Sequence, residues 1–210
     1  RQPLAAMSTS LDFVLRYQDR ITAERSNEKL LMVQKQVQRM AVLIEDALRF
    51  SKADAQKTEF APQMLDARES CEHILEPIRM ANAKNHQIIF TSDEGQVLAD
   101  PGLLDHILTN LLTNAQKYSP ENSTITVTLA READCWLYSV TDQGIGIPEA
   151  DVLHLFEPFY RASNAPKHAG TGLGLSIVKD YVEMHGGTLS ISTVENEGTT
   201  FSFTLPIARR

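Results

Sequence analysis

The sequence predicts an α+β protein in two parts: an N-terminal helical hairpin, followed by an α/β sandwich. Residues 1–56 contain no glycine, and their apolar residues recur at alternating spacings of three and four, which is typical of helices. After residue 57, stretches of helical period are mixed with stretches that alternate with period two. With 210 residues and 42% apolar content, the chain is long enough for one large domain or two small ones.

The first part contains two helical runs. The first has apolar residues at Leu4, Met7, Leu11, Val14 and Ile21, interrupted only by Gln18. The second has them at Leu30, Val33, Val37, Met40, Ile44 and Ala47, with Ser26 or Asn27 as the predicted N-cap. Spacing close to 3.5 residues produces a narrow apolar seam that packs against another helix. Two helices alone bury little surface, so we expect a four-helix bundle of two chains; the alternative is a hairpin packed on the rest of the same chain.

The second part is predicted element by element. The stretch EFAPQMLD is a strand or a linker, because Pro62 prevents pairing in a sheet interior. Asp100 caps a helix that has Pro101 at its first position and extends to Lys117. We further expect helices over 66–84, 148–156 and 172–185, and a loop over 157–170. HQIIFTS and QVLAD are predicted strands. Two hairpins are predicted, one formed by STITVTLARE with CWLYSVTD and one within residues 187–205. This mixture predicts an α/β sandwich of about 150 residues.

Composition narrows the function classes. The net charge is −7 and there is no basic stripe, which argues against a nucleic-acid partner. Cys71 and Cys135 fit neither a metal-binding spacing nor a disulfide framework, so we expect a reducing, cytoplasmic location. No segment approaches the length of a membrane-spanning helix. The chain starts without methionine at RQPLAAM, so we expect a fragment, whose membrane attachment would require an upstream region.

Polar residues mark one face of the helix within NLLTNAQKYS. Asn110 and Asn114 are four residues apart, so both amides project from one side, and Lys117 lies one turn further along. Amide oxygens can ligate a hard cation such as Mg²⁺, and lysine can meet phosphate. The alternative is a polar helix face without a ligand.

Three other short stretches carry candidate chemistry. In DQGIGIP, Asp142 can accept a hydrogen bond from an amine, although D-x-G-x-G is also a common turn. LFEPFYR is an aromatic cluster that ends in Arg161, before the loop. GTGLGLSIVK, residues 170–179, places three glycines at the start of a helix, where unpaired N–H groups favour phosphate; a tight turn is the alternative.

Together the four stretches resemble the N, G1, F and G2 boxes of sensor histidine kinases, in order and spacing. The matching residues are Asn110 and Asn114 (N box), Asp142, Gly144 and Gly146 (G1 box), Phe156, Pro158 and Phe159 (F box), and Gly170, Thr171, Gly172, Leu173, Gly174 and Leu175 (G2 box). Gly198 and Thr199 resemble the small terminal box. The resemblance implies a dimerisation and phosphotransfer hairpin over 1–56, a linker over 57–65, and an ATP-binding domain over 66–210.

The resemblance also implies roles for these residues. Asp142 would bind the adenine amine, and Asn114 would ligate Mg²⁺. Lys117 and Arg161 would act in catalysis, with Arg161 at the γ-phosphate; Lys167 and His168 are further candidates that could equally be solvated. Other residues are also expected to bind ATP: Asn110 and Tyr118 at the phosphates and sugar, and Gly144, Ile145 and Gly146 at the purine. Phe159 and Thr199 are further expected ligands of the nucleotide. The hinge of the ATP lid and the entry to the following helix would be formed by Gly170, Thr171, Gly172, Leu173, Gly174 and Leu175.

Members of the family phosphorylate a histidine in an H-E-x-R-T-P-L-like box, and this chain starts at the arginine of that box. We therefore expect the acceptor upstream of Arg1 and assign none of the six histidines, at 73, 86, 106, 154, 168 and 185. Gln2 replaces the usual Thr or Asn, which in the family orients water for dephosphorylation of the partner. It could retain that role through its amide or be an exposed first-turn residue.

Two functions remain in competition. Related hydrolases generally carry a glutamate four residues before the metal-binding asparagine, where this chain has Asn110. An imidazole acceptor has a free lone pair and needs less help from a base, so this difference favours a histidine kinase. The kinase would transfer phosphate to a histidine and then to an aspartate of a response regulator. The alternative is an ATP-binding regulatory dimer without phosphotransfer.

Overall fold

A computed structural model describes residues 2–17, 21–22, 24–34, 37, 40, 60–166 and 170–207. The chain divides into two compact units, an N-terminal unit of Arg1–Lys52 and a C-terminal unit of Ala53–Arg210. Among the described residues, no helix is both long and apolar enough to span a bilayer.

The N-terminal unit contains helix α1, Gln2–Tyr17, and helix α2 over 24–34. The N-cap prediction for α2 is wrong, because Ser26 and Asn27 already lie inside the helix. The backbone N–H of Arg25 instead donates to Thr22 Oγ1 at 3.4 Å, and that of Ser26 donates to the Thr22 carbonyl at 3.0 Å. The predicted apolar positions Ile44 and Ala47 lie outside the described residues.

The C-terminal unit combines seven strands with four helices within the described ranges. The helices are α3 (Ala67–Met80), α4 (Pro101–Tyr118), α5 (Glu149–Val152) and α6 (Gly174–Met184). The strands are β1 (Gln63–Asp66), β2 (Gln87–Ser92), β3 (Gln96–Ala99), β4 (Thr124–Arg131), β5 (Cys135–Asp142), β6 (Leu189–Val194) and β7 (Gly198–Pro206).

The main sheet has five strands in the order β2-β4-β5-β7-β6. Strands β2 and β4 are parallel, and the other neighbours are antiparallel, as the two predicted hairpins require. Strands β1 and β3 form a separate antiparallel pair, so EFAPQMLD ends in a strand. Register matters most at the end of β5, where Asp142 faces Thr199 of β7 and thereby lies beside the small terminal box.

Alternation along the strands separates a buried face from a hydroxyl-rich face. Trp136, Tyr138 and Val140 of β5 point into the core, where Tyr138 stacks on Phe203 of β7 with ring centroids 4.6 Å apart. Helices α3, α4 and α6 supply the other side of this core with leucine and isoleucine side chains. On the opposite face, the hydroxyls of Ser139 and Ser202 are 2.8 Å apart. The result is the two-layer α/β sandwich that the sequence predicts.

Helix ends agree with the sequence where local chemistry determines them. Asp100 caps α4 as predicted, since its side chain accepts from the backbone N–H groups of Gly102 and Leu103. The helix predicted over 148–156 is shorter, because the backbone bonds beyond Val152 reach back only three residues. The last helix starts at Gly174 rather than Gly172, whose φ of +80° is incompatible with a right-handed helix.

Candidate functional site

Helix α4 carries the N box on a half-buried face. The amide nitrogen of Asn110 donates to the carbonyl of His106 at 3.1 Å, one turn earlier in the helix. Its oxygen faces the start of α6, since a Cβ placed on Gly174 would lie 2.5 Å from Asn110 Oδ1. Asn114 follows one turn later on the same face of α4. The N box and the last glycine of the G2 box are therefore neighbours.

The end of α4 brings a cation to the first glycine of the G2 box. Lys117 Nζ donates to the hydroxyl of Tyr118 at 3.0 Å and lies 4.6 Å from the centre of its ring. A Cβ on Gly170 would be 2.9 Å from the same ammonium group. Gly170 itself is exposed and has a φ of +79°. A positive charge thus lies at the glycine-rich entry to α6.

Asp142 is a buried carboxylate at the end of β5. Its Oδ1 accepts from the backbone N–H of Gly144 at 2.7 Å, and the backbone N–H of Thr199 also donates to the carboxylate. Burial raises the pKa of Asp142 above 3.8, while these two N–H groups act in the opposite direction. A carboxylate kept in such a place is suited to accept a hydrogen bond from a ligand amine.

The G1 box packs against the end of α4. The N–H of Ile145 donates to the Tyr118 carbonyl at 3.3 Å, and a Cβ on Gly144 would lie 2.8 Å from that carbonyl oxygen. A Cβ on Gly146 would meet the Val194 carbonyl oxygen at 2.0 Å. Close approach of the protein's own backbone therefore requires both glycines, in addition to the purine contact that the sequence predicts.

The F box forms the base of the loop that precedes α6. The N–H of Phe159 donates to the carbonyl of Gly172 at 2.9 Å, and a Cβ on Gly172 would lie 2.7 Å from the Phe159 carbonyl carbon. Thr171 Oγ1 accepts from the N–H of Leu173 at 3.2 Å. Leu173 is buried and gives α6 no side-chain cap, so the first-turn N–H groups carry their partial positive charge toward the site.

Not every predicted residue joins this group in the structure. The guanidinium of Arg161 donates to the carbonyl of Pro166, within its own loop. Lys167 and His168 lie outside the described residues. Gln2 belongs to the N-terminal unit, where the backbone begins α1 and its side chain is not described.

Comparison with known proteins identifies the family. The profile of the histidine kinase-, DNA gyrase B- and HSP90-like ATPases matches residues 99–209, which include the N, G1, F and G2 boxes. The sensor histidine kinase WalK of Bacillus subtilis is 33% identical over an alignment of 214 residues. The alignment covers 98% of this chain and 34% of WalK. The chain belongs to the sensor histidine kinase family.

Two solved structures extend this comparison. The mycobacterial sensor histidine kinase MprB is 32% identical, with a TM-score of 0.63 over 69% of this chain and 97% of that structure. Histidine kinase ThkA in complex with response regulator protein TrrA shares the fold at 21% identity, with a TM-score of 0.76 over 99% of this chain and 59% of ThkA. The chain spans about a third of the length of WalK.

Sequence reasoning missed two residues that hold the N box of this kinase-family domain in place. Lys84 Nζ donates to the carbonyls of Lys117 and Ser119, both at 2.9 Å. His86 Nε2 lies 3.0 Å from the Gln116 carbonyl oxygen, so it carries the proton and donates. These contacts satisfy carbonyl groups that the last turn of a helix leaves without partners. They join segments at least 30 residues apart, so no local pattern could have indicated them.

Proposed function

We propose that this chain is the catalytic core of an ATP-dependent protein-histidine kinase. One observation carries the proposal: helix α4, which carries the N box, adjoins the G2 box at two points, Asn110 with Gly174 and Lys117 with Gly170. The amide oxygen of Asn110 and the ammonium group of Lys117 thus lie beside the start of α6, where the first turn has no side-chain cap. This donor set is suited to a magnesium–triphosphate anion.

The residues present fit ATP and Mg²⁺. Asp142 would accept from the adenine amine, and Asn114 would ligate the metal through its amide oxygen. When bound, Mg²⁺ neutralises charge on the phosphate oxygens and favours in-line displacement. Lys117 and Arg161 would add positive charge at the phosphates.

The protein itself contributes mainly position and charge. Lys117 is held beside Gly170 by its bond to Tyr118, so little reorganisation is needed when a phosphate arrives. Transfer breaks the bond between the γ-phosphorus and the bridging oxygen of ADP, and a histidine nitrogen forms the new bond with its lone pair. Among the histidines of this chain we assign no acceptor.

Exposed apolar residues in the N-terminal unit support homodimerisation through residues 1–56. Leu11 is 41% exposed and Leu30 is 43% exposed, and both belong to the predicted apolar seams. Lys29 Nζ lies 5.7 Å from the ring centre of Phe13, which brings α2 alongside α1. We therefore propose that a second copy covers these seams and that the two copies form a four-helix bundle.

The phosphoryl group would then pass to an aspartate of a response regulator, as membership in the family implies. ThkA, which shares this fold, binds the response regulator TrrA. Gln2 at the start of α1 is our candidate for orienting water in the reverse, phosphatase reaction. In the intact kinase, Gln2→Ala should slow dephosphorylation of the phosphorylated regulator; an unchanged rate would exclude this role.

The full-length protein should be incubated with ATP labelled at the γ-phosphate. We expect a label on the protein that acid removes and base does not, and its transfer to a receiver domain of the cognate regulator. Asn114→Ala should abolish labelling while the dimer persists in sedimentation. Absence of label on the wild-type protein, despite nucleotide binding, would instead support a regulatory ATP-binding dimer.

A further inference from the structure

One carboxylate, that of Asp151 in α5, holds the loop that follows the F box. Asp151 is buried, and its Oδ1 accepts from the hydroxyl of Tyr160 at 2.6 Å. Its Oδ2 accepts twice from Ser163, from the backbone N–H at 2.7 Å and from the hydroxyl at 2.8 Å. Hydrogen bonds from Tyr160 and then from Ser163 lower the pKa of Asp151, so the group is ionised at neutral pH.

Arg161 lies between the two residues that Asp151 binds. The loop is therefore anchored on the N-terminal side of Arg161 through the side-chain hydroxyl of Tyr160, and on its C-terminal side through the backbone N–H of Ser163. The next residue, Asn164, donates from Nδ2 to the carbonyl of Gly146 in the G1 box at 3.0 Å. These contacts fix the loop to α5 and to the G1 box at once, within the C-terminal unit.

We propose that Asp151 is a positioning residue that orients Arg161 toward the γ-phosphate of ATP. The inference rests on the proposed function, which assigns Arg161 to that phosphate; in this structure the guanidinium donates to the carbonyl of Pro166, a contact that it would exchange for the phosphate. A guanidinium on a side chain with four torsions reaches a fixed point only if the backbone at its base is fixed. Three hydrogen bonds to one ionised, buried carboxylate supply that constraint without contact between Asp151 and the nucleotide.

The proposal predicts that loss of Asp151 weakens the binding of ATP and not that of ADP. Asp151→Asn conserves volume, but one oxygen becomes an NH₂ group that cannot accept from Ser163 or Tyr160. The loop base is then loosened, and the contact of Arg161 with the third phosphate is lost. Adenine recognition by Asp142 and the contacts of Lys117 with the other phosphates remain. A residue needed only for folding would instead weaken binding of both nucleotides.

The test is calorimetry on the 210-residue chain with a non-hydrolysable ATP analogue and with ADP, each with Mg²⁺. We expect Asp151→Asn and Arg161→Ala each to weaken binding of the analogue about tenfold and to change ADP binding by less than about twofold. The double variant should be no weaker than either single variant, because both remove the same contact. Glu149→Gln, an exposed carboxylate on the same helix, is the matched control and should change neither nucleotide.

Four outcomes would count against the proposal, and they can be told apart. Equal weakening of both nucleotides by Asp151→Asn, or additive losses in the double variant, overturns the positioning role alone. If Arg161→Ala keeps the wild-type ratio of affinities for the ATP analogue and ADP, Arg161 does not contact the γ-phosphate, and the inference is overturned as well. A wild-type chain that takes up no adenine nucleotide overturns the proposed function itself. If Asp151→Asn does not fold, Tyr160→Phe combined with Ser163→Ala removes two of the three bonds and must give the same selective loss.

Discussion

At the scale of single residues, the chemistry of Asp142 follows from where the strand ends. Alternation along β5 turns this position toward the core, so the carboxylate is buried although it closes a strand rather than lying inside one. Two backbone N–H groups satisfy part of its hydrogen-bonding capacity and keep the charged form accessible. Burial of a carboxylate lowers the free energy of unfolding, so a carboxylate at such a position is typical of a site that binds a ligand.

We predict that Asp142→Asn weakens ATP binding about tenfold to a hundredfold, the range expected for one charge-assisted hydrogen bond. The loss should be specific to the adenine amine. Inosine triphosphate, which carries an oxygen at that position, should bind the wild type weakly and should not bind the variant more weakly still. Calorimetry with both nucleotides makes the comparison, and equal losses for the two would show that Asp142 acts on the fold instead.

The raised pKa of Asp142 also sets a pH dependence. Between 3.8 and the raised value, the folded protein binds the proton more tightly than the unfolded chain does. The contribution of this carboxyl to the free energy of unfolding is therefore greatest at low pH and declines as pH rises through that window. Nucleotide binding changes in the opposite sense, since affinity should fall as Asp142 is protonated. Asp142→Asn should lose this part of the pH profile in both measurements.

At the scale of elements, the entry to α6 contains two glycines in different surroundings. Gly170 and Gly172 both have positive φ, of +79° and +80°. A Cβ on Gly170 would approach only the side-chain ammonium of Lys117, whereas a Cβ on Gly172 would approach the backbone of Phe159 and Tyr160. The second glycine is thus part of a packed joint with the F box, and the first lies at an open position.

We predict that Gly172→Ala destabilises the chain by more than about 2 kcal/mol, because it adds a backbone clash to the cost of a left-handed conformation. Gly170→Ala, the matched control, should cost about 1 kcal/mol, since it pays for the conformation alone. Urea denaturation of both variants gives the comparison. A smaller loss for Gly172→Ala than for Gly170→Ala would contradict the packed joint.

The same elements show what the sequence could predict. Asp100 and Pro101 determine where α4 starts through local chemistry, and the strand alternation of residues 123–142 identifies the hairpin of β4 and β5. The start of α6 was predicted two residues early, because periodicity does not reveal a positive φ at Gly172. Asp151 was not recognised, because its partners are brought to it only when the loop folds back on α5. The residues of the N, G1, F and G2 boxes were predicted from their sequence pattern, whereas the tertiary contacts that hold these residues in place were not predicted.

At the scale of the whole molecule, the residues proposed to bind nucleotide and those proposed to join two copies lie in different units. Every residue proposed to bind nucleotide lies in the C-terminal unit, between Asn110 and Thr199. The apolar residues proposed to join two copies lie in the N-terminal unit. We therefore expect changes to one set to leave the equilibrium property of the other unchanged: apolar substitutions in the N-terminal unit should not alter nucleotide affinity, and substitutions at the nucleotide site should not alter dimerisation.

This separation predicts the behaviour of a variant with Leu11→Arg and Leu30→Arg. Both leucines are exposed members of the predicted seams, and two arginines in each copy would place like charges across the apolar interface that the dimer needs. We expect the variant to sediment as a monomer at concentrations where the wild type is a dimer, and to bind ATP with unchanged affinity in calorimetry. Met80→Arg is the control, since Met80 is 80% exposed on α3 of the other unit and should leave the dimer intact. A wild type that is already monomeric would contradict the four-helix bundle, and a loss of ATP affinity in the monomer would show that the two units are coupled.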